Sequence, residues 1–461
     1  MGFKNFIITC LIGFAVAVRA DLIQINVGKT VGKINHALAG VSQGGNAGSY
    51  FKPEVIAGLE KLTPEFVRIE MITSSLPHHL YNSTTGKFDW EKLDYEIEAI
   101  QKGGGKIIIN FFGTPEHLVS NSAAPIPAFT PPRDFKVYAD FCAEIVRHVN
   151  LEKNYNVKLW EFWNEPSGNH FWTDWHRGNR RFFELWNEVY RAVKKVDPSV
   201  KMGGFGDNSQ YPEHYEAWFD FARKSNTMPD FLTIHYYGDW AGSTSTVPAD
   251  YARFSDRLLG ICKKKLGTTL PVYYTEWNLP AESVGKFPAE RVAAWIGASL
   301  CEMQKNGRIN GAAFFRVEHY RDPYSSLFDS EGTPRTAFRI LRFFDAMPEQ
   351  ALAVLNNSPS VSATAAGNSE EINVLIARYD GSNGAVTTKA DINLSGIVPS
   401  RDYSIELIRE NKENAPKIGE GSPERFTLQS SASGTIVLPL QLDPFETVMI
   451  RVCGGNGDLR N

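Results

Sequence analysis

Lys158-Leu159-Trp160-Glu161-Phe162-Trp163-Asn164, then Asn179–Val196, then Lys201-Met202-Gly203-Gly204-Phe205, read as a strand, a helix and a second strand. Both flanking runs are short and largely apolar, without a polar alternation, as expected of strands buried on both faces of a parallel sheet. The segment between them sets its charges on one face and repeats apolar residues at three- and four-residue spacing, the pattern of an amphipathic helix. Pro198 stands just beyond it as a helix stop. A right-handed β-α-β unit is the reading that satisfies all three.

The same unit recurs on both sides. Further strands are expected at Leu38–Ser42, Phe66–Ile72, Lys106–Phe112, Phe231–Tyr237, Pro271–Trp277 and Ile309–Val317. Helices are expected at Trp90–Lys102, Phe135–Asn150, Tyr251–Leu266 and Ala289–Asn306, the last opened by Pro288. Eight such units fit an α/β (β/α)8 TIM barrel better than an open doubly wound sheet. Gly44-Gly45 follows the first strand, but no G-x-G-x-x-G or Walker pattern does, so no nucleotide loop is indicated.

After Met347 the pattern changes to short alternating segments separated by Gly, Ser, Asn and Pro: Ile372–Tyr379, Ala385–Leu394, Tyr403–Arg409, Arg425–Gln429, Thr435–Leu440 and Glu446–Val452. These predict a C-terminal antiparallel β-sandwich. Leu22–Val27 is also strand-like and is expected to join it. The organisation read from the sequence is therefore a leader at 1–20, a barrel at 30–347, a sandwich from 21–29 plus 348–453, and a frayed tail at 454–461.

Composition narrows the function. The chain has 461 residues, 43% hydrophobic, with a formal charge of −4. Such a chain can bury large cores, and the charge argues against a nucleic-acid partner. Lys4, the apolar Phe6–Val18 and the small residues Val18 and Ala20 read as a secretory leader, so a secreted or lumenal location is expected. Its removal takes Lys and Arg from 48 to 46 against 52 acids, a formal −6. No later segment has the length and apolarity of a membrane span. Sequons at Asn82, Asn356 and Asn393 agree with export. Cys10 falls in the leader. Cys142, Cys262, Cys301 and Cys453 are dispersed, which leaves either a single bridge such as Cys262–Cys301 or buried free thiols.

In a barrel, chemistry gathers where strands end at the carboxyl face. Strand four ends in Phe162-Trp163-Asn164-Glu165-Pro166 and strand seven in Tyr274-Thr275-Glu276-Trp277-Asn278. Each sets a Glu among aromatics at an apolar strand end, and the two ends face each other across the mouth. Two carboxyls bracketing one carbon are what glycoside hydrolysis requires. A metal-dependent hydrolase would need an early H-x-H pair, and a serine hydrolase a G-x-S-x-G elbow; the sequence has neither. No metal or cofactor is expected. A secreted carbohydrate-binding protein on a silent barrel is the alternative outside the enzymes, although it would be expected to lack one of the two Glu.

These motifs, with Phe171-Trp172, His235-Tyr236-Tyr237 and Leu327-Phe328-Asp329-Ser330-Glu331-Gly332-Thr333-Pro334, resemble glycoside hydrolase family thirty-nine, which includes β-xylosidases and α-L-iduronidases. The resemblance implies a retaining enzyme acting on an oligosaccharide or polysaccharide, with Glu165 as acid/base and Glu276 as nucleophile. Asn164 would then meet the 2-hydroxyl of the bound sugar. Arg68 is the candidate for keeping Glu276 ionised, and His235 and Tyr237 for hydrogen-bonding it, while Trp163 and Trp172 wall Glu165. His117, Gln43 and Asn46 are candidate sugar contacts, and Trp277 and Trp240 candidate floors. His78-His79 reads as solvated surface. The iduronidase branch carries a Lys soon after the strand-six His; here Tyr236-Tyr237-Gly238 follows, favouring a xylosidase-like substrate, though Arg316 and Arg321 leave the acidic sugar open.

Overall fold

The computed structural model describes residues 21–43, 53–74, 79–169, 171–175, 180–208, 213–238, 247–279, 287–318, 326–329, 331–382, 384–417 and 422–454. The leader, Gly44-Gly45, Asn46, His78, Trp240 and Arg321 lie outside them. Eight parallel strands close into a barrel in chain order: Gly40–Gln43, Phe66–Ile69, Lys106–Phe111, Leu159–Phe162, Lys201–Asn208, Phe231–Tyr237, Val272–Asn278 and Ile309–Phe315. The expected strands are present, most with ends shifted by a few residues. The first starts later than expected because His36–Ala39 winds into a 3-10 turn. The helix expected at Phe135–Asn150 is α-helical to Val146 and then widens into a π turn, Arg147–Glu152. Its start is fixed by Asp134, whose carboxylate accepts the Lys136 and Val137 amides at 2.9 and 3.0 Å.

The second domain is a nine-stranded sheet. The N-terminal strand Asp21–Lys33 is inserted third from one edge, antiparallel to Gln350–Asn356 and parallel to Thr388–Ser395. That strand runs to Lys33, so the sheet takes more of the N-terminus than residues 21–29. Alternation divides the strands Glu371–Tyr379 and Phe445–Gly454 between two cores. Ile372, Val374 and Ile376 join Ile23, Ile25, Ile405 and Ile450 inside the sandwich. Leu375 and Met449 point the other way and join the barrel's core.

Helix Ala289–Asn306 is the joint between the domains. Its C-terminus is closed by Gly307 at φ 66°. Thr447 Oγ1 donates to the Ala293 carbonyl at 2.8 Å, and a Cβ on Gly297 would lie 2.5 Å from Thr447 Oγ1 and 3.0 Å from Ala377 Cβ. Glycine there lets helix and sheet touch. Cys142, Cys262, Cys301 and Cys453 are all free thiols, the first three buried, so Cys262 and Cys301 form no bridge. Among the described residues no helix is long and apolar enough to cross a membrane.

Candidate active site

Arg68, from the second barrel strand, organises the mouth. Its side chain is fully buried, and four groups converge on it. Nη1 donates to Glu276 Oε1 at 2.7 Å and Glu70 Oε2 at 2.5 Å, Nε to Glu161 Oε2 at 2.7 Å, and Nη2 to Asn164 Oδ1 at 2.7 Å. A guanidinium only donates, so Asn164 must turn its oxygen to Arg68 and aim its NH2 elsewhere.

Glu276 sits where it does because of a β-bulge. Along the seventh strand Tyr274 pairs with Ile234, yet Glu276, two residues on, pairs with His235, the very next residue of the sixth strand. The extra residue lets neighbouring side chains serve the same interior: Thr275 Oγ1 donates to Glu161 Oε1 at 2.7 Å, while Glu276 meets Arg68 and Tyr237. Burial alone would push the Glu276 carboxyl up. His235, Arg68 and the Tyr237 hydroxyl, which donates to Oε2 at 2.5 Å, outweigh it and hold Glu276 below its ordinary value.

Glu165 lies in the opposite environment. It follows the fourth strand in a loop where Trp163 takes φ 63° and Glu165 φ 38°, left-handed conformations that non-glycine residues adopt at a cost of about 1–3 kcal/mol each. The loop is held by Asn110 Nδ2 on the Trp163 carbonyl at 2.6 Å and by Trp163 Nε1 on the Phe171 carbonyl at 2.7 Å. Burial raises the Glu165 carboxyl, and the charges of Glu276 and Asp207 add to this against the opposing pull of His235.

His235 joins the two acids, and it touches Glu165 more closely than Glu276. Its Nδ1 is 2.6 Å from Glu165 Oε1 and 3.7 Å from Glu276 Oε2. The expectation that it would orient Glu276 by hydrogen bonding is thus corrected; Tyr237 does that. The backbone register sets Glu276 opposite His235, yet the imidazole turns Nδ1 to Glu165 and the Tyr237 hydroxyl is the group that reaches Glu276 Oε2. The tautomer follows from Thr275, whose single hydroxyl hydrogen goes to Glu161. His235 Nε2, 3.1 Å from Thr275 Oγ1, must therefore carry a hydrogen, and one proton lies between Nδ1 and Glu165. Gly206, at φ 54°, makes room for this ring: a Cβ there would fall 2.7 Å from His235 Nε2 and 3.1 Å from Glu161 Oε1.

One carboxylate oxygen from each of Glu165 and Glu276, and a His235 nitrogen, all lie within 4.8 Å of one another. Three such donors can bind a metal ion, although the buried Arg68 cation beside Glu276 opposes a second positive charge. Oxygens this close are compatible with paired carboxyls acting on opposite sides of one carbon, as at the roughly 5–5.5 Å separation of retaining glycosidases.

Residues 65–418 match the profile of glycosyl hydrolases family 39. The chain belongs to this family. A β-xylosidase of Caldicellulosiruptor saccharolyticus is 25% identical over 432 residues, 86% of each chain. A monomeric β-xylosidase from Caulobacter crescentus superposes with a TM-score of 0.76 at 18% identity, over 94% of this chain and 99% of that one. A family 39 enzyme from Xanthomonas axonopodis pv. citri gives 0.77 at 16% identity, over 94% and 97%. The protein is thus a glycoside hydrolase of a retaining family, acting on glycan substrates.

Not every expected residue of this family 39 glycosidase reaches the dyad. Trp277 is fully buried, packed edge-on against Tyr251 and Phe314, so it floors no subsite. As the neighbour of the inward Glu276, it points outward to the helices. His117 is drawn into a separate aromatic group, 4.3 Å from the Tyr81 ring, and no described contact joins it to the carboxyls. Gln43 ends the first strand, but its side chain lies outside the description. Trp163 and Trp172 are both buried, edge to face at 5.1 Å. Arg316 lies at the end of the eighth strand, its guanidinium 5.6 Å from the Phe315 ring.

Three participants were given no role from the sequence. Glu161 is fully buried and takes Arg68, Asn110 and Thr275 together. Thr275 sets the histidine tautomer. Glu70, two residues after Arg68, is pushed up to about 8 by burial, with the charges of Glu276 and Glu161 adding to the effect against the pull of Arg68 and His235. The signal for Glu161 and Glu70 was present: charged residues inside otherwise apolar strands are rarely buried without a partner.

Proposed function

We propose that this family 39 enzyme is an exported β-xylosidase-like glycosidase working by double displacement. Glu276, held ionised, attacks the anomeric carbon while Glu165 gives its proton to the departing oxygen. Glu165 then takes a proton from water, and the hydroxide equivalent releases the sugar from Glu276 with net retention. Asn164, its amide oxygen engaged by Arg68, turns its NH2 towards the sugar's 2-hydroxyl. The observation that carries the reading is the pair itself: two carboxyls with oxygens under 4.8 Å apart, one environment favouring charge and the other favouring the proton.

The test is a panel of nitrophenyl glycosides with product stereochemistry followed by NMR, together with trapping by a 2-fluoro glycoside. Xyloside turnover with a retained anomer and a sugar adduct on the Glu276 peptide is expected. An inverted product would overturn the mechanism, and a uronide preference would overturn the substrate.

A xyloside is favoured over a uronic acid because recognition of a carboxylate calls for free cations. Arg68 is engaged by three carboxyls and Asn164, and Tyr236-Tyr237-Gly238 follows His235 without a base. Export is supported by the leader-like residues 1–20, with the small residues Val18 and Ala20 ahead of the expected cleavage site. Of the sequons, Asn82 is compatible with a glycan, since it is exposed at the end of the strand Tyr81–Asn82 with its side-chain oxygen Oδ1 accepting the Thr84 and Thr85 amides. Asn356 instead commits its amide nitrogen to the carbonyls of Ser358 and Val361. N-terminal sequencing of the secreted protein, with Asp21 first, checks the export reading.

A further inference from the structure

Outside the dyad, one cluster of chemically capable side chains borders the acid loop. Ser167, Asp207 and His214 meet where the loops after the fourth and fifth strands come together. The Ser167 hydroxyl donates to Asp207 Oδ1, and His214 Nδ1 lies 2.9 Å from Asp207 Oδ2 and 3.1 Å from Ser167 Oγ. The residue types are those of a serine hydrolase, but the geometry is not. In a nucleophilic triad the imidazole uses one nitrogen for the hydroxyl and the other for the carboxylate. Here both partners meet on Nδ1, so no proton can be relayed from serine to aspartate through the ring. The cluster is a clamp.

What it clamps is the segment carrying Glu165. Ser167 is two residues on, beyond Pro166, in the short turn Ser167–Asn169. On the near side of Glu165 the chain is tied by Asn110 to Trp163 and by Arg68 to Asn164. On the far side Ser167 is tied to Asp207 and His214. Glu165, at φ 38°, sits between the two ties in a conformation that surrounding structure must enforce. Both anchors belong to regular elements of the barrel. Asp207 is buried near the end of the strand Lys201–Asn208, and His214 lies in the first turn of helix Glu213–Ser225, with Trp175 edge-on at 4.9 Å. Asp207 is also among the negative charges that favour the protonated form of Glu165.

We propose that Asp207, acting through Ser167 and His214, is a positioning residue that holds Glu165 where it can deliver its proton to the departing oxygen. The inference rests on Glu165 as the proton donor. It predicts a specific defect, because a misplaced acid matters only when the leaving group needs protonation. A group as good as 2,4-dinitrophenolate departs without help.

The experiment measures kcat/KM for Asp207→Asn and Ser167→Ala across aryl glycosides of graded leaving-group basicity, using the sugar the enzyme turns over fastest. With the dinitrophenyl substrate, both variants are expected to stay within about threefold of the native enzyme. With a methoxyphenyl or alkyl substrate they should fall roughly 10–100-fold, the range set by loss of an aligned general acid. Equal losses on every substrate would mean that the cluster is merely structural and would overturn the proposal, as would native behaviour of both variants. Ser167→Ala keeps the test open if Asp207→Asn folds poorly. Glu165→Gln, run alongside, separates the two failures. A steep leaving-group dependence there, without one in the clamp variants, sinks only the clamp; its absence in Glu165→Gln sinks the assignment of the acid.

Discussion

Replacing Tyr237 with Phe removes one oxygen from the site and leaves the ring in place. In the native protein that hydroxyl donates to Glu276 Oε2 at 2.5 Å, and it is one of three influences holding the carboxyl low. A hydrogen bond to a charged group contributes about 1.5–3 kcal/mol, and about 1.4 kcal/mol of preference for the ionised form corresponds to one pKa unit. Arg68 and His235 remain, so the rise expected for Glu276 is at the lower end, about one unit. The sign follows directly. The hydroxyl favours charged Glu276, so its loss raises the folded pKa, and the acid limb of kcat/KM moves to higher pH. The basic limb, set by Glu165, moves much less. Stability follows the same logic. Glu276 is depressed in the folded protein, so its charge stabilises the fold above the ordinary carboxylate range, and this is lost as pH falls through the folded value. Tyr237→Phe gives up part of that contribution, so it should unfold more readily near neutrality, with the gap narrowing in acid. The assay is kcat/KM from about pH 3 to 8 on a nitrophenyl glycoside, with urea unfolding at two pH values. An acid limb that stays put, or moves to lower pH, would refute the assignment of Glu276 as the ionised partner.

The dyad roles also predict an asymmetric rescue. Azide should restore turnover with a retained product in Glu165→Ala but not in Glu276→Ala, and equal rescue of both would contradict the roles. Gly206→Ala should lower kcat at least about tenfold by pushing the His235 ring, and cost about 1–2 kcal/mol for the left-handed backbone, read by kinetics and urea unfolding. Its control is Gly260→Ala, with open space around the new methyl, which should leave activity intact and stabilise helix Asp250–Leu266 by about 0.5–1 kcal/mol. Gly297→Ala should destabilise by about 1–3 kcal/mol by prising the joint helix from Thr447 and Ala377, without altering the pH profile; a thermal scan unchanged from the native protein would count against this contact.

The barrel was legible because burial on both faces writes each strand as an apolar run, and turns separate them cleanly. Glu165 and Glu276 were legible as a facing pair because two Glu stand at equivalent strand ends, each beside Trp and Asn. Less visible were the strands Gln350–Asn356, which mixes Ala with Leu and Val without alternation, and Val361–Gly367, which is mostly Ala, Ser, Thr and Gly. The second of these lies close to the joint helix, Ser362 reaching Glu302 at 2.8 Å, and small side chains suit such a close approach. The partner of His235 was hidden for a different reason. Alternation along one strand predicts which face a residue occupies, but not which acid across the mouth its ring nitrogen meets, and Glu165 reaches it from the loop beyond the fourth strand. Asp207 had no motif at all, only a place after Gly203-Gly204-Phe205-Gly206 near a strand end.

The strand Asp21–Lys33 has a consequence for biosynthesis. It leaves the ribosome first among the described elements, yet its neighbours, Gln350–Asn356 and Thr388–Ser395, are among the later ones. At roughly 5–20 residues per second, the nascent chain carries Ile23, Ile25 and Val27 uncovered for about 20–70 s, with both edges open to stray pairing. The barrel can wind behind it meanwhile, but the accessory sheet cannot begin to close until translation is nearly finished. A holdase that shields this segment during that interval would raise the yield of active enzyme more than one acting after release.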